Sequence, residues 1–398
     1  MKGDIVTILL IFLFAVGLFF ASNHGLRGYL RSPETLGKEI KSPVDSLEQY
    51  RHAGEAPFKY RPVFPMVVKT TYHLLTDTNN PRLFYLTYKS WSAVFYGTSA
   101  VALFILLSTL GFSRAYSLAG TGIFLLFPAM LLAFSLPVHT REDTLAYTLF
   151  FGALASLARG RVWWFLVFAV LGALTRETLL LLPLLYFFFA SDKNLIRKLF
   201  ISGLPCAAWL LIRVLSTHEP YDPWLGLKWN LANPEQVVGF LYLTFNVSWI
   251  TFLIYLFYFR QTIDTSKPPL QFYYRSALFT LVVILTTTFI GGIYNEIRLL
   301  YLAFPWFVVI LLDFIRNNEP VFQSYLKRSG YWIYAGITLA VCAGLAYVVV
   351  VNRDKLITPG KWAVPYDLWI VVTLIYVFAM MVFLPPAIKV LLLRKSKK

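Results

Sequence analysis

The chain has 398 residues, 58% of them hydrophobic and only 14% charged, with a net charge of +16. Soluble domains are about 45–50% apolar and about 25% charged, so a soluble enzyme of this size is excluded. Disorder is excluded by the same figures, and 2 cysteines exclude a disulfide scaffold. The apolar residues fall in long unbroken runs, unlike the short alternating segments of an outer-membrane barrel. The expected fold class is all-α: a polytopic transmembrane helical bundle, one domain over residues 1–398.

At about 20 residues per span there is room for about 12 helices. Hydropathy places them at 5–21, 89–110, 116–134, 143–158, 162–174, 178–190, 199–217, 240–259, 276–293, 299–315, 331–351 and 367–384. The first run, followed by Ala21-Ser22, reads as a retained anchor rather than a cleaved signal peptide, because its n-region is weak. The fifth and sixth runs meet at Thr175-Arg176-Glu177-Thr178 and read as two short helices, since a charged turn cannot sit in lipid without partners.

With the N-terminus in the cytoplasm, 18 basic residues fall inside, among them Arg159, Arg161, Lys193, Arg197, Lys198, Arg316 and the tail over 385–398. The outer loops hold only Arg141, Arg176, Lys228, Arg298, Arg353, Lys355 and Lys361 outside the long first loop. This positive-inside bias predicts a multi-pass protein of the inner (cytoplasmic) membrane with both termini cytoplasmic. The net charge is then a topology signal, and no nucleic-acid partner is expected. Cys206 and Cys342 both fall in spans and read as small buried residues. Asn246-Val247-Ser248 matches the glycosylation triplet but lies within a span. No internal repeat, Gly-rich phosphate loop or Cys/His metal cluster is present.

One outer segment is long. Residues 22–88 lie between the first two spans, and structureless loops of that length are uncommon, so the segment should carry its own helices. Pro43 to Tyr50 reads as a helix start, capped by Ser42 or Asp45. Pro62 to Leu75 reads as an amphipathic interfacial helix with Val63, Phe64, Val67, Tyr72 and Leu75 on its apolar side. A second outer loop, 218–239, carries Tyr221, Trp224 and Trp229 among prolines, suited either to a lid or to an interfacial aromatic belt.

The short outer loops concentrate charge: Arg141-Glu142-Asp143, Arg176-Glu177 and Glu296-Ile297-Arg298. Of the 20 acidic residues, 15 lie outside. Adjacent and i,i+2 residues on a helix point to different sides, so Arg176 cannot neutralise Glu177, nor Arg298 Glu296, while those pairs are helical. Partners on other spans or on a ligand are implied. The mid-depth of the spans is almost free of charge, whereas an ion-coupled transporter places ionisable groups near the bilayer midplane. The polar site is expected on the outer face, beneath the first loop.

A first span, a long outer loop with an early Asp, and many later spans resemble the GT-C superfamily of integral-membrane glycosyltransferases. The residues carrying the resemblance are Asp45-Ser-Leu-Glu-Gln-Tyr50, then Tyr60-Arg61-Pro62, then Thr175-Arg176-Glu177-Thr178 and Glu296-Ile-Arg298. The resemblance implies transfer of a sugar from a polyprenyl-phosphate- or diphosphate-linked donor to a glycan, lipid or protein acceptor. By position it makes Asp45 the candidate base or acceptor-binding group. Many members carry two adjacent acids there; here Glu48 follows three residues on, sharing a helix face with Asp45, which leaves a dyad or a divalent cation open. No cofactor is otherwise implied.

The residue types suit that chemistry. A carboxylate takes the acceptor proton, and arginines hold the leaving phosphate through their fixed fork of donors. Arg61 and Arg298 are the first candidates for the phosphate, with Arg141 and Arg176 behind them. Tyr50, Tyr60, Glu142, Asp143, Glu177 and Glu296 complete the expected substrate-binding set. Two rivals stand: a surface-polysaccharide polymerase or ligase using lipid-linked glycans, and a non-enzymatic membrane transporter or scaffold.

Overall fold

The computed structural model describes residues 2–25, 61–76, 80–126, 130, 142–216, 224–232, 234, 268–291, 301–351 and 366–395. Among them every regular element is helical. The helices are α1 (Lys2–Gly25), α2 (Val63–Leu75), α3 (Pro81–Thr109), α4 (Arg114–Leu126), α5 (Glu142–Ala158), α6 (Val162–Thr175) and α7 (Leu181–Phe189). They continue as α8 (Leu195–Ser216), α9 (Leu225–Ala232), α10 (Pro268–Gly291), α11 (Phe304–Asn317), α12 (Glu319–Leu326), α13 (Ser329–Val351) and α14 (Tyr366–Lys395). Short 3₁₀ turns at Glu177–Leu180 and Tyr301–Ala303 lead into α7 and α11.

Among the described residues, three helices are long and apolar enough to cross a membrane, at Leu86–Thr109, Leu195–Leu215 and Pro269–Ile290. Shorter apolar helices lie at Ile5–Ala21, Asp143–Ala158, Val162–Thr175, Glu177–Phe189, Ser329–Leu345 and Val377–Val390. Large apolar side chains stand exposed along α1 (Leu9, Leu10, Phe14), α8 (Ile196, Leu210, Leu215) and α13 (Ile333, Ile337, Val341). Apolar surface this extensive marks a membrane or partner contact rather than a face presented to water.

Local chemistry accounts for the joints. Asn80 caps α3 by accepting from the Leu83 amide at 3.1 Å, with Pro81 at the first helical position. Both α3 and α5 end in Schellman motifs. The amides of Phe112 and Arg161 reach back to the carbonyls of Leu107 and Ser156, at 3.2 and 2.9 Å. The turning residues, Gly111 and Gly160, sit at φ +85° and +69°, which an L side chain disfavours.

The core is built around α3 and α5, joined by the Thr98 and Thr148 hydroxyls at 3.1 Å and by Thr148 donating to the Phe95 carbonyl. Helix α1 packs on α3 at Gly97, which gives room to the Phe12 ring. Helix α7 folds back along α6, with Phe165 stacked on Tyr186 at 5.2 Å between centroids. Helix α8 then returns along α7, where Ser202 donates to the Pro183 carbonyl at 3.0 Å. Helices α10 and α11 meet where Trp306 Nε1 donates to Ser276 Oγ at 2.9 Å.

Helix α2 forms where the amphipathic pattern puts one, with a correction to its apolar face. Phe64, Val68 and Tyr72, an i,i+4,i+8 row, are buried, whereas Leu75 is exposed. Phe64 rests on Tyr88 and Phe95 of α3, and Trp91 Nε1 donates to Thr71 Oγ1 at 3.0 Å. Tyr72 already meets Asn80, one residue before α3 begins, so α3 has no length left to cover Leu75. A second difference is α12, in a segment the hydropathy reads as a connection. Asn318 followed by Glu319 and Pro320 is a helix-start pattern that hydropathy does not weigh.

Candidate functional site

Four of the expected site residues come together at one end of the packed helices. Arg61 precedes α2, Asp143 lies in the first turn of α5, and Arg176 and Glu177 form the joint between α6 and the turn leading to α7. The opposite end is defined by the α3–α4 and α5–α6 turns, where Arg159 Nε donates to Thr109 Oγ1 at 3.1 Å and Arg316 reaches the Gly111 carbonyl.

The joint explains why neighbouring charges serve different partners. Helix α6 stops at Thr175, and Arg176 adopts an extended conformation with φ −157° and ψ 129°. Its amide still donates to the Gly172 carbonyl at 2.8 Å, and its carbonyl accepts from Leu179 at 3.0 Å. That extended residue sends the two side chains apart. The turn then folds onto α6 so closely that a Cβ at Gly172 would lie 2.7 Å from Leu179 Cδ2.

Glu177 accepts both arms of Arg61, Nε to Oε2 at 3.0 Å and Nη2 to Oε1 at 2.6 Å. The Arg61 side chain is 6% exposed and that of Glu177 28% exposed. Burial acts to raise the Glu177 carboxyl, but the Arg61 guanidinium, its hydrogen bonds and nearby Arg176 outweigh it and hold the group at about 2. Arg176 forms an ion pair with Asp143, both almost fully buried. The start of α5 adds the favourable field of a helix N-terminus for an acid at that position.

The Arg61 fork thus engages a carboxylate, which fastens Arg61 to the joint between α6 and α7. Glu142 opens α5. Asp45, Glu48, Tyr50, Tyr60, Arg141, Glu296 and Arg298 lie outside the described residues, as do the helix start at Pro43, the triplet at Asn246 and the span at 240–259. Within the segment 218–239, Trp224 is exposed ahead of α9, and Asn230 Nδ2 donates to the Phe289 carbonyl at 2.9 Å, tying α9 to the end of α10. Among the described residues no group of three His, Cys, Asp or Glu side chains could hold a metal ion.

One polar network escaped the reading of the outer loops. Asp313, buried in α11, accepts from Tyr274, Arg316 and Asn317, the last at 3.0 Å. Its signal was present in the spacing, since Arg316 and Asn317 stand at i+3 and i+4 on the same helix face. Arg316 also lies over the Phe112 ring at 4.9 Å, so this network ties α10 and α11 to the α3–α4 turn. No family model, curated protein or solved structure matches the chain.

Proposed function

We propose that the chain is a membrane glycosyltransferase of GT-C type, moving a sugar from a polyprenyl-phosphate-linked donor to an acceptor at the extracytoplasmic face. In this reading about 12 spans cross the inner membrane with both termini cytoplasmic, and the Arg61 end faces outward. The observation that carries it is the bidentate Arg61–Glu177 contact. It fastens the end of the long first loop to the α6–α7 joint, and so supports a site beneath that loop. The charges paired there lie at helix ends, which favours outward-facing chemistry over a midplane transport site.

The step balances simply. The acceptor hydroxyl oxygen bonds to the anomeric carbon as the bond from that carbon to the phosphate oxygen breaks. The electron pair leaves on the phosphate, and the hydroxyl proton passes to Asp45, with Glu48 as the second catalytic carboxylate. A phosphate leaving group needs no proton, so one base suffices. With Arg61 engaged by Glu177 and Arg176 by Asp143, Arg298 and Arg141 are the arginines assigned to the phosphate. Asp45→Ala in membranes supplied with labelled polyprenyl-phosphate sugar tests the assignment. Transfer should fall by about 10²-fold or more at equal protein abundance; unchanged transfer removes Asp45 from the mechanism.

A further inference from the structure

At the end of the structure opposite Arg61, helices α6 and α8 begin side by side. The Trp163 and Phe200 rings lie 6.4 Å apart, edge to face. The α5–α6 turn brings Arg159 and Arg161 to this corner, and the α7–α8 turn brings Lys193, Arg197 and Lys198. The acid of these turns is Asp192, which accepts from Arg197, from Tyr186 at 2.9 Å and from the Asn194 amide at 3.0 Å. Arg159 donates to Thr109, and Lys198 donates to the Phe187 carbonyl at 3.1 Å. Arg161 and Lys193 are exposed and meet no carboxylate among the described residues. Five cations therefore face one carboxylate, and two of the five are uncommitted.

The surface beside these cations is apolar and runs away from them. On α6 the exposed row is Trp163, Val167 and Leu171; on α8 it includes Leu199, Phe200 and Leu204. Trp163 and Trp164 stand exposed in the first turn of α6, the depth at which indole rings sit at a membrane surface. Cations at one level and an apolar track leading from them match a molecule with an anionic head and hydrocarbon chains. A soluble anion would use the cations alone and leave the track unexplained.

We infer that this corner, between the α5–α6 and α7–α8 turns, binds the head group of an anionic phospholipid, with Arg161 and Lys193 on its phosphate. The inference rests on the membrane part of the reading above and not on glycosyl transfer. Basic clusters at the ends of membrane helices draw anionic lipid, each Lys or Arg adding to the attraction. Lipid bound there would brace the α5–α6 and α7–α8 hairpins at the end away from the Arg61 site.

The test uses the full chain reconstituted in phosphatidylcholine vesicles with spin-labelled phosphatidylglycerol. The readout is the association of that lipid relative to spin-labelled phosphatidylcholine. Arg161→Gln with Lys193→Gln should lower the preference roughly tenfold. The charge-retaining pair Arg161→Lys with Lys193→Arg should keep it. Arg114→Gln with Lys327→Gln removes the same charge elsewhere at this end and should leave the preference intact. An equal loss in both glutamine pairs, or no loss in either, overturns the site. Displacement of the lipid by millimolar glycerol phosphate overturns the commitment to lipid. Failure of the wild-type chain to enter vesicles overturns this inference together with the membrane reading, whereas absent sugar transfer leaves it standing.

Discussion

Arg61 and Glu177, 116 positions apart in the chain, meet through two parallel hydrogen bonds of 3.0 and 2.6 Å. The contact joins the residue that enters α2 to the turn between α6 and α7. Removing either partner leaves a charge in a site built for two. Arg61→Ala or Glu177→Ala should each cost about 2–3 kcal/mol, below the usual figure for a buried pair because Glu177 keeps some solvent. The double variant should cost less than the sum, with a coupling of about 1–3 kcal/mol. Thermal unfolding of the detergent-solubilised protein reads the cycle; additive losses would show that the pair is not coupled.

The Asp143–Arg176 pair is buried more deeply, at 2% and 3% exposure of the two residues. Asp143→Asn or Arg176→Ala should lower stability by about 3–5 kcal/mol, since each leaves a buried charge without its counter-ion. Asp143→Leu with Arg176→Met, which removes both charges, should recover most of that loss. Unfolding midpoints of the three variants separate the outcomes.

Acid should loosen the loop through Glu177. Its carboxyl is held at about 2 against an ordinary value of 4.5, so the folded state favours the ionised form. The stabilisation is fully present above the ordinary value and drains away as pH falls toward about 2. The stability gap between the wild type and Glu177→Gln should therefore be constant from neutral pH down to mild acid and close below it. A gap that persists unchanged through the acid range contradicts the assignment.

Gly172 tests the joint without touching a charge. An added methyl would meet Leu179, itself fully buried, so Gly172→Ala should push the turn off α6 and cost about 1–3 kcal/mol. Leu179→Ala in the same chain should return part of the loss by making room. Gly17→Ala, where nothing lies within 4 Å, is the matched control and should be nearly neutral.

These residues also show what a sequence can and cannot disclose here. The start of α2 follows from Pro62 and the amphipathic spacing behind it. That Arg176 and Glu177 need separate partners follows from the sequence if the pair is helical; the structure separates them instead by an extended Arg176 at the end of α6. The identities of their partners do not follow. Arg61 and Asp143 are set opposite them by the packing of α2 and α5 against α6, which no local pattern encodes. Gly172 reads as one more glycine in an apolar helix, and only the fold-back of Leu179 gives it a reason. Leu75 has the right spacing for burial and is exposed because its neighbour helix ends too soon.

The proposed reaction is transfer of a sugar at the face that carries the Arg61 end. Its most direct measurement uses wild-type protein in sealed vesicles of known orientation, loaded with radiolabelled polyprenyl-phosphate sugar, and a panel of acceptors that cannot cross the bilayer. Labelled product is expected only when the acceptor is on the side opposite the N-terminus. Product formed from acceptor on the N-terminal side, or folded protein giving none with any acceptor in the panel, would contradict it.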